Sequence, residues 1–282
     1  MTCDFCVEDL RARASKRKID PDVYLANIDR ALSSMRKIDT SISITVGSPP
    51  VDPKLPIILD KVGLLLPSTN NETILDKLVR NGFNHLNISK VSYDEEVNQK
   101  IMKFKRKSET TTNEMLEEIV AKAKLGGIRP RMSCLVNKEA VSNLANVISY
   151  IEFYKSIGVD NIVFRELMNY DFEKAECNGS VINRVKRDFY KNNFIDLKYI
   201  LSDINKDESF TLLNKVSGYY YDVWVFDYNG VSCCFEKANL ENMSNKGNTI
   251  YEFVLHPNGR LCGSWNDKED VIIDFNSERG LL

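Results

Sequence analysis

Two cysteines near the start of the chain, Cys3 and Cys6 in Cys3-Asp4-Phe5-Cys6, are the residues best suited to hold a metal. A C-x-x-C pair offers two thiolates on one short loop, the arrangement used by zinc sites, redox motifs and iron–sulfur clusters alike. Taken alone it does not choose among these, or against two free surface thiols. Further along stand short polar segments that could grip a small molecule. They are Gly47-Ser48-Pro49-Pro50, Ser68-Thr69-Asn70-Asn71 and Leu86-Asn87-Ile88-Ser89, followed by Arg131, Ser133 and Arg165. Glycine at a turn lets a ligand approach the backbone. Asn87 and Ser89 are two residues apart on a strand-like run, so their side chains share one face and need partners. An arginine at a strand's C-terminal end is placed to pair with a carboxylate.

The elements that would carry these residues alternate. Asp20-Pro21 opens a helix on which Leu25, Ile28, Leu32 and Met35 recur at helical spacing. A strand over 43–46 and a helix over 55–62 come next, then a short strand over 64–66. The pattern continues with a helix over 73–80, stopped at Asn81-Gly82, and a strand over 85–89. Thr111 and Glu114 suggest a capping box for a helix that runs to Gly126-Gly127. A strand over 129–136, a long helix over 139–157 and a strand over 161–165 complete the series. Regular β–α alternation of this kind argues for parallel strands with helical crossovers.

After about residue 200 the character changes. Tyr219–Tyr228 is aromatic and strand-like, Asn229-Gly230 is a hairpin turn, and Val231–Phe235 returns. Ile250–Leu255 and Arg260–Trp265 flank the turn His256-Pro257-Asn258-Gly259 and make a second hairpin. The division expected is therefore 1–200 for the α/β part and 201–282 for a small β-rich extension.

Composition narrows the function classes. Of 282 residues 43 % are hydrophobic, enough for a sizeable core, and 38 basic residues nearly balance 40 acidic ones for a net charge of −2. No basic footprint for nucleic acid and no membrane-surface face stands out. No apolar run is long enough to span a bilayer, so a cytoplasmic location is expected. Seven cysteines in such a chain argue against a disulfide framework. Cys134, in an apolar strand, reads as a core residue.

The order of Cys3, Phe5 and Cys6, then Gly47 and Pro50, then Ser68-Thr69-Asn70, then Asn87 and Ser89, resembles the radical S-adenosylmethionine (SAM) superfamily over the segment from Cys3 to about Arg165. Its cluster loop reads C-x-x-x-C-x-aromatic-C. Cys3, Phe5 and Cys6 match the second cysteine, the aromatic and the third cysteine, and the first would fall upstream of Met1. The resemblance implies a partial (β/α) barrel whose first strand lies outside this chain. It implies a [4Fe–4S] cluster ligated by Cys3 and Cys6, and SAM contacted by Gly47, Ser48, Asn70, Asn87, Ser89, Arg131 and Arg165. The reaction implied is reductive cleavage of SAM to start radical chemistry on an unknown substrate, with an electron donor such as a flavodoxin or ferredoxin. Ser48 and Pro49 replace the central Gly-Glu of the family's Gly-Gly-Glu-Pro turn. That departure favours the alternative, a barrel that binds a ligand or partner without catalysis. The hairpin over 250–262 is similar to the auxiliary-cluster hairpin of some relatives, but adjacent Cys233 and Cys234 would diverge on a strand. No second cluster is expected there.

Overall fold

The computed structural model describes residues 20–35, 57–58, 73–103, 111–167, 184–218, 221–238, 250, 252–256, 258–263 and 270–276. The chain is of mixed α/β class. It divides into two compact units, Met1–Phe5 with Phe83–Lys246, and Cys6–Gly82 with Gly247–Leu282. Cys3, Cys6, Gly47, Ser48 and Asn70 lie outside the described residues, as do the expected strands over 43–46 and 64–66.

The first unit is built on one six-stranded sheet. Its elements in chain order are β1 (His85–Ser89), α3 (Glu95–Met102), α4 (Asn113–Leu125), β2 (Arg129–Val136), α5 (Leu144–Ser156), β3 (Asn161–Glu166), α6 (Arg184–Asn193), α7 (Leu197–Ile204), β4 (Phe210–Ser217), β5 (Tyr221–Tyr228) and β6 (Val231–Ala238). The strand order is β1-β2-β3-β6-β5-β4. β1, β2, β3 and β6 run parallel, while β6, β5 and β4 form an antiparallel meander. The sheet thus crosses residue 200, where the composition changes. The expected β-rich tail is shared between the units, β4–β6 in the first and the later strands in the second.

Local chemistry explains most element ends. Thr112, not Thr111, caps α4, its hydroxyl accepting from the Met115 amide. The cap thus falls one residue later than expected, and with Met115 at the third helical position the reciprocal half of a capping box is not made. Helix α5 starts at Leu144 rather than at Glu139. Asn137 takes the amides of Glu139 and Ala140 into a turn, and Asn143 caps the helix by accepting from Asn146 N. Asn229 and Gly230 both have positive φ, 49° and 85°, the two-residue turn whose twist matches a β-hairpin.

One face of this sheet makes the core. Met132, Cys134 and Val136 of β2, Ile162 and Phe164 of β3, and Cys233 and Phe235 of β6 are buried against Leu116 and Val120 of α4, Tyr150 and Tyr154 of α5, and Ile200 and Ile204 of α7. Phe164 and Phe235, partners in register, stack at 5.0 Å between ring centroids, and Phe226 meets Phe235 edge-on at 5.8 Å. Lys90 is buried just past the end of β1. Its ammonium donates to Thr111 O at 3.1 Å and Asn113 Oδ1 at 2.6 Å. It ties the start of α4 to the edge of the sheet, and burial lowers its pKa while Glu95 opposes the shift.

The second unit holds α1 (Pro21–Met35), α2 (Ile74–Arg80) and a three-stranded sheet of β7 (Val254–Leu255), β8 (Arg260–Cys262) and β9 (Val271–Asp274). Asp20 caps α1 through the amides of Asp22 and Val23, and Thr73 with Asp76 forms a capping box on α2. The turn and end of the small sheet are fastened to α1. Arg30 Nη1 donates to Phe275 O at 2.7 Å, and buried Asn27 donates to Asn276 Oδ1 at 3.3 Å. Gly259 has φ +82°, and a Cβ there would overlap the amide nitrogens of Asn27 and Asn276.

Two stability predictions follow from the packing. Phe235→Ala should cost about 3–5 kcal/mol in denaturant unfolding, because it removes a ring stacked on one aromatic and edge-packed on another. A loss below about 1 kcal/mol would mean that the ring pair does not hold the sheet together. Gly259→Ala should cost roughly 1–3 kcal/mol, the combined effect of the left-handed backbone and the overlap with Asn27. Unfolding curves that superimpose on those of the parent would exclude that packing.

Candidate functional site

Opposite α4, α5 and α7, the face of β1, β2, β3 and β6 is mostly polar, Leu135 of β2 being an apolar exception that packs against Val91, Ile101 and Met102. Strand alternation puts Asn87 and Ser89 of β1, Arg129, Arg131 and Ser133 of β2, Asn161, Val163 and Arg165 of β3, and Ser232, Cys234 and Glu236 of β6 on it. Register brings them level across the strands. Asn87 pairs with Arg131, Ser89 with Ser133, Ser133 with Val163, Val163 with Cys234, and Arg165 with Glu236. Asn87 and Ser89 are exposed, whereas Leu86 and Ile88 between them are half-buried, with Ile88 against the core. The two polar residues therefore face away from the helices, as the alternation in the sequence implies.

Each arginine of this face is held by its Nε. Arg131 donates to Asn87 Oδ1 at 3.0 Å, Arg165 to Glu236 Oε2 at 2.7 Å, and Arg129 to Asp160 Oδ1 at 3.1 Å. Arg129 and Arg165 thus meet carboxylates, and Arg131 meets a neutral amide. At the centre of the face Ser133 is only 8 % exposed. Asn161 Oδ1 is buried with no partner among the described residues. A buried polar atom of this kind normally has a partner. A ligand bearing a donor group would supply one.

Cys234 sits in the same rows. Burial raises its pKa and Glu236 adds to the rise, while Arg131 and Arg129 oppose it. Cys233 points the other way into the core, where burial raises its thiol strongly, as it does for Cys134. The divergence of Cys233 and Cys234 is that of adjacent strand residues. Cys134, Cys233 and Cys234 are free thiols. Among the described residues no group of three or more His, Cys, Asp or Glu is placed to hold a metal ion.

On the helix side of the same strand ends lies a second charged group. Glu166 accepts from the first amide of α7, Leu197 N, at 2.8 Å, and faces Lys237 Nζ at 3.6 Å. Lys237 also reaches Asp196 Oδ1 at 3.3 Å. The Glu166 side chain is 4 % exposed, and burial raises its pKa against the pull of the Leu197 amide and Lys237. This group fastens a helix.

Of the seven residues expected to contact the cofactor, the described four, Asn87, Ser89, Arg131 and Arg165, fall on one face. The partner of Arg165 is Glu236, 71 residues on. The sequence reading missed Glu236 because only the parallel pairing of β3 with β6 brings it there. The alternation of Ser232, Cys234 and Glu236 was the available signal. No protein-family model matches this chain, and no curated protein matches it at a significant level. Among the described residues no helix is long and apolar enough to cross a membrane.

The raised pKa of Glu166 sets a pH dependence. In the folded protein its ionised form is disfavoured, so the penalty is fully present above the folded pKa. It vanishes as pH falls below the unfolded value. The stability difference between wild type and Glu166→Gln should therefore shift toward wild type as pH falls from about 7 to about 4. A difference that stays flat across that range would show that burial does not govern Glu166.

Proposed function

We propose that this protein is a radical SAM enzyme, and that the polar face of the six-stranded sheet is part of its SAM-binding surface. The single observation that carries the reading is the placement of Asn87, Ser89, Arg131 and Arg165. The sequence resemblance nominates these four, and they share one face of parallel strands, turned from α4, α5 and α7. Ligands in parallel α/β architectures gather toward the carboxyl ends of the strands. The helical crossovers joining β1, β2 and β3 suit a partial (β/α) barrel whose inner surface is this face.

The donor set fits the proposed cofactor. Arg131 offers two Nη groups to a carboxylate, with its Nε already tied to Asn87. The Ser133 hydroxyl and the Asn161 carbonyl can take up amino or hydroxyl groups. Cys3 and Cys6 would supply thiolates to a [4Fe–4S] cluster. When bound, cluster and SAM together supply a carbon radical for hydrogen abstraction, with the electron coming from a flavodoxin- or ferredoxin-like donor. The chain's own residues bind, orient and shield. Burial raises the pKa of the Cys234 thiol, which disfavours its thiolate beside the ligand face.

The test uses the full chain together with any in-frame residues upstream of Met1, reconstituted anaerobically with iron and sulfide. Under reduction it should convert SAM to 5′-deoxyadenosine, and Cys3→Ala or Cys6→Ala should remove at least about 99 % of that turnover, the loss of a cluster ligand. Turnover that persists in either variant would end the cluster assignment. SAM bound but never cleaved, with every ligand cysteine present, would turn the reading to a non-catalytic binding module.

A further inference from the structure

We propose that the polar face carries two separate oxyanion anchors, Arg131 and Arg165, so that the substrate brings a carboxylate or phosphate of its own beside the one on SAM. The proposal rests on the SAM reading above for the identity of the first ligand. The two anchors themselves rest on geometry.

The two guanidinium groups are drawn to opposite sides. Arg131 on β2 is tied by Nε to Asn87 on β1, and Arg165 on β3 is tied by Nε to Glu236 on β6. Between β2 and β3 they are also out of step. Arg165 is level with Leu135, four residues beyond Arg131. That separation is on the order of 13 Å along the strands. Two arginines leaning apart over that distance cannot share one carboxylate. A fixed Nε leaves each guanidinium with its two Nη groups as a fork, the geometry that takes an oxyanion through two hydrogen bonds. Neither fork has a partner among the described residues.

The anchors differ in strength. Arg131 is held by a neutral amide, so no carboxylate among the described residues compensates its charge. Arg165 already meets Glu236, whose side chain is 15 % exposed. An anion at Arg165 must tolerate that carboxylate or displace it. Arg131 is the tighter site and Arg165 the weaker, gated one.

Equilibrium dialysis of the full chain against inorganic phosphate, and separately against malonate, tests this. Two equivalents of anion should bind, one tightly and one weakly. Whichever probe binds better tells whether the natural group is a phosphate or a carboxylate. Arg131→Gln should weaken the tight equivalent at least about tenfold, the loss of one charge-assisted pair. Arg165→Gln should remove the weak one, and Glu236→Gln should strengthen it several-fold. Asn87→Ala, which leaves both charges in place, should weaken only the tight equivalent, and thermal unfolding shows whether each variant is folded. Saturating S-adenosylhomocysteine should displace one equivalent and leave the other. A single equivalent in the parent, displacement of both, or an Arg165→Gln or Glu236→Gln protein that binds both as the parent does, would overturn the proposal. Two equivalents with no binding of S-adenosylhomocysteine would uphold the two anchors and sink the SAM reading instead.

Discussion

The parallel pairing of β3 with β6 is the constraint on which the rest of the described structure depends. It joins the parallel strands β1–β3 to the antiparallel meander β4–β6 and makes one sheet of them. Five successive register pairs hold it, the last three being Val163 with Cys234, Phe164 with Phe235, and Arg165 with Glu236. Their contributions are unequal. Burying each phenylalanine is worth about 1.5–3 kcal/mol. The Arg165–Glu236 pair is partly exposed, and a pair at that exposure contributes about 0–1 kcal/mol. Packing therefore makes the seam, and charge selects its register. A slip of one residue would turn Phe235 onto the polar face and set Glu236 toward the core.

That selection operates on both faces at once. Arg165 and Glu166 follow each other on β3, and Glu236 and Lys237 follow each other on β6. The cation of each strand meets the anion of the other, Arg165 with Glu236 on one face and Glu166 with Lys237 on the opposite one. The helix-side pair anchors α7 through the Leu197 amide. The other pair orients an arginine whose remaining donors face the candidate ligand site. A single dipeptide on each strand thus serves fold and site together.

The two faces also divide the cysteines by function. Cys134 and Cys233 behave as small apolar residues, fully buried and strongly held in the thiol form. Cys234, one residue on, shares its face with Arg131 and Glu236 and feels both. The polar face therefore carries charge, hydroxyl, amide and thiol within a few register rows. The helix face carries hydrocarbon and aromatic rings apart from the Glu166–Lys237 pair at the strand ends. This asymmetry, rather than any one residue, is what makes the polar side a candidate for binding.

Much of this was legible in the sequence. The strands over 85–89 and 129–136 have the bounds that their alternation implies, because half-buried strands impose period two on side-chain chemistry. The Asn229-Gly230 hairpin was readable because few dipeptides accept two positive φ values. The common face of Asn87 and Ser89 followed from spacing alone. Elsewhere local signals competed. Thr111 and Thr112 are equal candidates for one cap, and the start of α5 depends on whether Asn137 turns the chain before Asn143 caps it. Only the tertiary structure could assign Glu236 to Arg165, or place β4–β6 in the same sheet as β1–β3. Those relations are made by hydrogen bonds and ring packing between segments about 70 residues apart. No periodicity within either segment encodes its partner, since alternation specifies which face a side chain takes but not which strand lies beside it.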